Sequence, residues 1–182
     1  MLMAKYESSR TLTLYRGESP DALPELKGGL AWHIRMSPAK RRSIEMERLR
    51  LSCASPETML FEAKSIIRAH ILSRRRSPFI SFSGKEKIAR GYAARGGARE
   101  RGLIVRAEVK VCREIAWEPF NVTGLYIDHA DRLWLHVPVY WPMFKTEMYE
   151  PEIAEAFRHS YRDDEYLLLG DLGTEEFDVR KV

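Results

Sequence analysis

The amino-acid sequence predicts an α+β protein with a mainly antiparallel sheet. Helical patterns are concentrated early in the chain and strand patterns late. The clearest strand, 103–111, alternates small apolar side chains with charged ones, which is typical of a sheet with one buried face. A chain of 182 residues with 45% hydrophobic and 31% charged residues has the size and composition of one globular domain, so we expect a single domain over 1–182.

The first half of the chain is expected to contain one strand and three helices. A half-buried strand is predicted over 11–15, ending at Arg16. Three serine–proline pairs each place a capping serine before a proline in the first turn of a helix: Ser19-Pro20, Ser37-Pro38 and Ser55-Pro56. Gly28-Gly29 should end the first of these helices. The helix after Pro56 is the clearest because it has one continuous apolar face, formed by Met59, Ala63, Ile66, Ile67 and Ile71.

The second half is expected to be rich in strands. A strand is predicted over 79–83, and a capping box of Ser83 and Glu86 should start the helix that follows, over about 85–94. Gly96-Gly97 should end that helix. The alternating strand 103–111 comes next, and another helix is predicted over 152–159. The remaining predicted strands are 124–128, 133–137, 165–169 and 177–182.

Three short segments stand out by their order along the chain. They are Leu14-Tyr15-Arg16-Gly17 with Gly28-Gly29-Leu30 after it, Phe79-Ile80-Ser81-Phe82-Ser83, and Asp163-Asp164-Glu165-Tyr166. In this order they resemble the mono-ADP-ribosyltransferases of the Arg-Ser-Glu group, particularly the enzymatic chains of cholera and pertussis toxins. In that family an arginine ends the first core strand, a Ser-x-Ser strand leads into a helix, and a glutamate opens a late strand. The resemblance extends from Leu12 to Val182.

The resemblance implies a fold, a reaction and a set of site residues. The implied fold is ADP-ribosyltransferase-like: a split antiparallel β-sheet with flanking helices and a NAD cleft between the sheet halves. The implied reaction moves ADP-ribose from NAD, the co-substrate, to a macromolecular acceptor, with release of nicotinamide and without a metal. The residues implied as catalytic are Glu165, Ser81 and Asp163. Those implied for NAD binding are Arg16, Tyr15, Gly17 and Ser83.

These residue types also suit the chemistry on physical grounds. Cleavage of the nicotinamide–ribose bond develops positive charge on the ribose, which a carboxylate such as Glu165, exposed in a cleft, would stabilise. The planar fork of Arg16 matches a pyrophosphate, and the small hydroxyl of Ser81 would orient the glutamate or the ribose. Residue 163 is Asp where the family usually has Glu or Gln, so the type of acceptor does not carry over to this chain.

The same residues also have ordinary structural explanations. Arg16 could form a salt bridge at a strand end, Ser83 could serve only as a helix cap, and Glu165 could be an edge charge. We expect His33 and His70 to be structural. Three aromatic residues near prolines either form a wall for nicotinamide or an acceptor, or fill the edge of the core; they are Trp134, Tyr140 and Trp141.

Charge is distributed unevenly along the chain. Residues 147–182 contain eleven acidic and four basic side chains, a charge of −7, so the preceding residues carry +11 within the net charge of +4. Basic residues in 35–50 and at 74–76 would attract an anionic acceptor, either an acidic protein surface or RNA or DNA. An antidote protein is a further partner that a toxin-like enzyme could have.

Several other classes of protein are excluded or disfavoured. No run approaches the roughly 20 apolar residues that span a bilayer, so no membrane partner is expected, and 1–15 lacks an apolar signal region. Cys53 and Cys112 have neither a disulfide framework nor a metal-ligand spacing. We expect a cytoplasmic protein, or an exported effector without a standard signal. Two other functions stay open: a NAD glycohydrolase and a non-catalytic nucleic-acid-binding module.

Overall fold

A computed structural model describes residues 3–31, 37–74, 77–95, 101–117, 122–145 and 147–182. These ranges contain eight strands: β1 (Met3–Glu7), β2 (Thr11–Glu18), β3 (Ile80–Ser83), β4 (Leu103–Trp117), β5 (Val122–Asp128), β6 (Leu133–His136), β7 (Glu165–Leu169) and β8 (Phe177–Lys181). They also contain five α-helices: α1 (Leu23–Leu26), α2 (Pro38–Ser52), α3 (Pro56–Leu72), α4 (Glu86–Ala93) and α5 (Pro151–Asp163). A 3-10 segment, Val137–Phe144, connects β6 toward α5. Predictions that rest on His33, Arg35, Arg75, Arg76 or Gly96-Gly97 lie outside the described residues.

The strands form one antiparallel sheet that closes on itself. Six strands make the ring, in the order β4, β2, β3, β7, β6 and β5, and the pairing of β5 with β4 closes it. The long strand β4 makes closure feasible, because β2 pairs with its first half and β5 with its second half. The α+β class, the antiparallel sheet and the flanking helices are therefore confirmed. The expected division into two sheet halves is wrong, since hydrogen-bonded strands continue around the ring.

The ring is least extensively paired between β2 and β3. In the described strands, Tyr15 and Ser83 are the one residue pair between β2 and β3. All other neighbouring strands of the ring are joined by at least three residue pairs. We call this weakly paired boundary between β2 and β3 the seam. It is the part of the ring that most resembles the expected cleft between sheet halves.

Two hydrophobic clusters lie on the two sides of the ring. The inner cluster draws alternate residues from all six ring strands, for example Leu14 of β2, Phe82 of β3 and Trp134 of β6. The outer cluster packs α3, α5 and the 3-10 segment against the opposite faces of β5, β6 and β7. Because side chains alternate between the faces of a strand, neighbouring residues of β7 contribute to different clusters, and in β3 only Ile80 and Phe82 enter the inner one. This alternation decides where each candidate site residue points.

Most predicted elements exist, with shifted ends. Strand 165–169 has the predicted bounds, while the strand predicted over 11–15 continues to Glu18, so Arg16 lies inside it. Ser55 caps α3 as predicted, accepting a hydrogen bond from the Thr58 backbone N–H at 3.1 Å. Gly29 adopts a left-handed φ of 111° after α1, which agrees with the predicted helix end. In the described part of the chain, no helix is long and apolar enough to cross a membrane.

The capping box predicted at Ser83 is wrong. Lys85 is the N-cap of α4, which begins at Glu86, and no side chain caps the helix. The Ser83 hydroxyl accepts from the Lys85 backbone N–H at 3.0 Å and donates to the backbone carbonyl of Asp163. Its hydroxyl therefore ties the end of β3 to the end of α5 instead of capping a helix.

Candidate active site

Glu165, the first residue of β7, lies at the centre of a buried polar cluster. The residue is only 5% exposed, although an exposed position in a cleft was expected. Oε1 accepts from Ser81 Oγ at 2.6 Å and lies 3.1 Å from His70 Nε2. Oε2 accepts from the Ser160 hydroxyl and lies 3.4 Å from Arg74 Nη2. Helices α3 and α5 supply His70 and Ser160, and these helices cover the outer face of the sheet.

The surroundings of Glu165 strongly favour its ionised form. Burial raises the pKa of this carboxyl, but the hydrogen bond and charge of His70 and the charge of Arg74 outweigh burial. The Ser160 hydrogen bond acts in the same direction, and the pKa falls to about 2. Glu165 therefore carries a negative charge at neutral pH, next to the positive charge of Arg74, in a position that water barely reaches.

Arg16 is connected to Glu165 through Ser81. Its Nη1 donates to the backbone carbonyl oxygen of Ser81 at 2.8 Å, and its Nε donates to Glu18 Oε1 at 2.6 Å. Three of the residues singled out by the sequence, numbers 16, 81 and 165, therefore belong to one hydrogen-bonded network. The Arg16 side chain is 28% exposed, so it remains accessible to solvent beside the seam.

Arg16 and Glu165 nevertheless lie on opposite faces of the sheet. Arg16 pairs with Val105 and shares the inner face of β2 with Leu14. Glu165 pairs with Ser83 and shares the outer face of β7 with Leu167. Ser81 contacts both residues. Its hydroxyl donates to Glu165 on the outer face, and its backbone carbonyl oxygen accepts from Arg16.

His70 is a site residue whose role sequence reasoning missed. It was expected to be structural, but its Nε2 contacts Glu165 and its Nδ1 lies 2.7 Å from Ser77 Oγ. Ser77 Oγ also accepts from the Phe79 backbone N–H at 3.2 Å. The signal for this role is present in the sequence: a histidine within the apolar face of α3, one turn after Ile66, needs a buried hydrogen-bond partner.

The Asp163 carboxylate binds partners other than those of Glu165. Its Oδ2 accepts from the Tyr92 hydroxyl at 2.5 Å, and its Oδ1 accepts from Arg162 Nε at 2.8 Å. Burial, reinforced by the hydrogen bond to Asp163, raises the pKa of Tyr92 to about 12. Asp163 itself is 5% exposed, so its carboxylate is engaged within the protein.

Asp164, the residue between the two predicted carboxylates, forms a separate pair. Its Oδ1 lies 2.6 Å from His136 Nε2, and the His136 ring stacks on Tyr166 with a centroid separation of 4.1 Å. The His136 hydrogen bond lowers the pKa of Asp164 against the opposing effect of burial. Asp164 has a left-handed φ of 51°, and this turn directs three successive acidic side chains toward three different partners.

Gly17 and Tyr15 take part in the packing and strand pairing near Arg16. A Cβ on Gly17 would lie 2.1 Å from the backbone carbonyl oxygen of Ala89, so the absence of a side chain allows α4 to pack against β2. Tyr15 of β2 pairs with Ser83 of β3 at the seam. Both residues thus shape the region around Arg16.

The three candidate aromatic residues have different environments. Trp134 and Tyr140 are fully buried in the inner and outer clusters, as expected for aromatics that fill a core. Trp141 is partly exposed and lines a cavity beside α5. The alternative that an aromatic residue forms a wall for a ligand therefore remains relevant for Trp141.

The basic residues of 35–50 are partly neutralised. Arg48 pairs with Asp171 at 2.9 Å, and Arg50 pairs with Glu47 and Glu62 at 2.9 and 2.8 Å. Arg74 contacts Ser160 at 2.8 Å and Glu165. Arg74 therefore belongs to the Glu165 cluster and is less available to an external anion than expected.

The described residues show no metal site, and the chain matches no known family. Within the described ranges, no group of three or more His, Cys, Asp or Glu side chains is placed to hold a metal ion. Both cysteines are free and exposed. Comparison with protein-family models and with curated proteins finds no match to this chain.

Proposed function

We propose that this chain is a mono-ADP-ribosyltransferase that uses NAD. The observation that carries the proposal is the hydrogen bond from Ser81 Oγ to Glu165 Oε1 at 2.6 Å, with Arg16 bound to the carbonyl oxygen of the same serine. Residues separated by 65 and 84 positions meet in this network. They are the arginine, serine and glutamate that the family resemblance selects.

Glu165 has the charge that this reaction requires. Breaking the bond between ribose C1′ and the nicotinamide nitrogen leaves the electron pair on nicotinamide and positive charge on the ribose. A new bond then forms between C1′ and a nucleophilic atom of the acceptor, which loses a proton. A carboxylate with a pKa of about 2 is ionised throughout the physiological pH range. Glu165 can therefore stabilise the positive charge on the ribose without first losing a proton.

Arg16 is suited to the pyrophosphate of NAD. Its Nη1 and Nε are used by Ser81 and Glu18, whereas Nη2 is not engaged in either bond and the side chain is partly exposed. The two internal bonds hold the guanidinium in one orientation, which reduces the entropy lost when it binds a phosphate.

Access to Glu165 requires one of its partners to move. Both carboxylate oxygens are engaged, and the two weakest contacts are those of His70 and Arg74. Arg74 is the more exposed of these, with 36% of its side chain accessible against 2% for His70. We therefore expect a ribose hydroxyl to replace Arg74 at Oε2, while Ser81 and His70 continue to hold Oε1.

A NAD glycohydrolase is the second candidate, and the position of Asp163 favours it. The transferase interpretation assigns Asp163 to the acceptor, but this carboxylate is buried and bound by Tyr92 and Arg162. If no other group activates a macromolecular acceptor, water takes its place and the products are ADP-ribose and nicotinamide.

Measuring nicotinamide release from NAD, with and without cell extract, tests both candidates. Extract-stimulated release with label transferred to a macromolecule supports the transferase, and extract-independent release without transfer supports the glycohydrolase. Glu165→Gln should reduce release at least about 100-fold. Glu155→Gln, the same change at an exposed position of α5, is the matched control and should behave as the parent protein. Absence of release by the parent would refute both candidates.

A further inference from the structure

A cavity of about 500 Å³ opens beside α5, on the side of the helix that does not contact Glu165. Its lining consists of Pro138 and Trp141 from the 3-10 segment, and Arg158, Tyr161 and Arg162 from α5. Its volume is within the range of small-molecule sites, which combine apolar walls with a few polar groups. Two aromatic rings and two guanidinium groups around one cavity suggest a ligand with both a flat ring and negative charge.

The two arginines are placed for an anion. Residues four apart on a helix share a face, so Arg158 and Arg162 project toward the same region. They are two of only four basic residues in the acidic segment 147–182. Arg158 is exposed and forms no ion pair with any residue that the structure describes. Glu155, one turn earlier, lies 3.9 Å from His159 instead.

Arg162 and the aromatic residues complete the cavity. Arg162 binds Asp163 through Nε and also interacts with the Tyr92 hydroxyl, while 60% of its side chain remains exposed. The Trp141 ring packs against the Phe157 ring, with 5.5 Å between the ring centroids. It lies edge-to-face to the Tyr161 ring, with 6.2 Å between the centroids. Both rings keep exposed surface, 37% for Trp141 and 58% for Tyr161. A supported, partly exposed ring is suited to stacking against a nucleobase.

We propose that this cavity binds a nucleoside monophosphate unit. Arg158 and Arg162 hold the phosphate, because guanidinium groups match phosphate oxygens in pairs, and the base lies against Trp141 and Tyr161. The site is distinct from the Glu165 cluster, which α5 reaches through the buried Ser160. The proposal does not depend on NAD cleavage, and its test measures binding alone.

Titration calorimetry with adenosine 5′-monophosphate, adenosine, ribose 5-phosphate and phosphotyrosine tests this inference on the whole chain. We expect the monophosphate to bind more tightly than either of its parts. Arg158→Gln should weaken binding of the monophosphate about 10-fold and leave adenosine binding unchanged. Tyr161→Leu should weaken both. Both side chains are exposed, so folding is preserved, and Arg101→Gln removes the same charge elsewhere on the surface as a control.

Three results would overturn the proposal. One is unchanged monophosphate affinity in both cavity variants, and another is no binding to the parent at millimolar concentration. The third is tighter binding of phosphotyrosine than of the monophosphate, because the cavity would then favour a modified peptide. A parent protein that binds the monophosphate but releases no nicotinamide would refute the proposed enzyme and leave this site standing.

Discussion

Replacing Glu165 by glutamine should cost stability as well as activity, because the carboxylate is buried among four partners. Gln keeps the shape of Glu but removes the charge and exchanges one acceptor oxygen for a donor NH₂ group. Ser81 and Ser160 can rotate their hydroxyls to adapt, whereas Arg74 has only donors. The variant therefore loses the ionic part of the network.

The pKa shift gives the size of this loss. A fall from 4.5 in the unfolded chain to about 2 in the folded protein corresponds to about 3 kcal/mol of stability at neutral pH. Because the folded pKa is the lower one, this contribution is fully present above pH 4.5. It is lost as the pH falls toward 2, and about half of it is gone near pH 3.

Urea unfolding at pH 7, 5 and 3, followed by circular dichroism, measures the effect. We expect the Glu165→Gln deficit in the free energy of unfolding to be about 3 kcal/mol at pH 7 and to shrink at pH 3. Glu155→Gln, at an exposed position, should change stability by less than about 0.5 kcal/mol at each pH. A Glu165→Gln deficit that is below about 1 kcal/mol, or that does not vary with pH, would refute the buried ionic network.

Three further substitutions probe neighbouring contacts. Asp163→Ala should lower the free energy of unfolding by about 1–3 kcal/mol in urea, since two donors lose their acceptor; unchanged stability with selective loss of transfer would instead support an acceptor role. Gly17→Ala should cost about 1–3 kcal/mol by forcing α4 away from β2, whereas Gly91→Ala, which has open space around its Cβ, should not destabilise. Arg16→Lys should raise the KM for NAD more than it lowers kcat, because an ammonium replaces the bidentate fork; an unchanged KM would argue against a phosphate role.

The sequence predicted elements well where a local pattern decides them. The strand over 165–169 and the serine cap at Ser55 depend on nearby residues and were correct. The strand β1 was missed, because its partner β4 lies in the second half of the chain and leaves no periodic signal in 3–7. The pairing of β4 with β5 was missed because the part of β4 that pairs with β5 begins where the predicted strand ended, at Val111. Ring closure depends on the length of β4, and the alternating pattern revealed only its first nine residues.

The candidate site was predicted in part for the same reason. The order of Arg16, Ser81 and Glu165 along the chain is what the resemblance rests on, and the structure joins these residues. The partners from the helices were not predicted, since His70 and Ser160 become significant only when α3 and α5 pack over β7. A polar residue inside an apolar helix face is the signal that such a partner exists, but the sequence does not say which residue it meets.

Ser81 links the two faces of the sheet, and this arrangement constrains any ligand that uses both Arg16 and Glu165. The serine hydroxyl fixes the carboxylate on the outer face while its backbone carbonyl fixes the guanidinium from the inner face. A ligand that contacts both groups must therefore reach across β3. Such a ligand can pass most easily between β2 and β3, because these strands share one residue pair and few backbone hydrogen bonds hold them together there. A ligand shared between the two faces of the closed sheet is therefore best accommodated at this seam, which lies at the residues that the sequence selected.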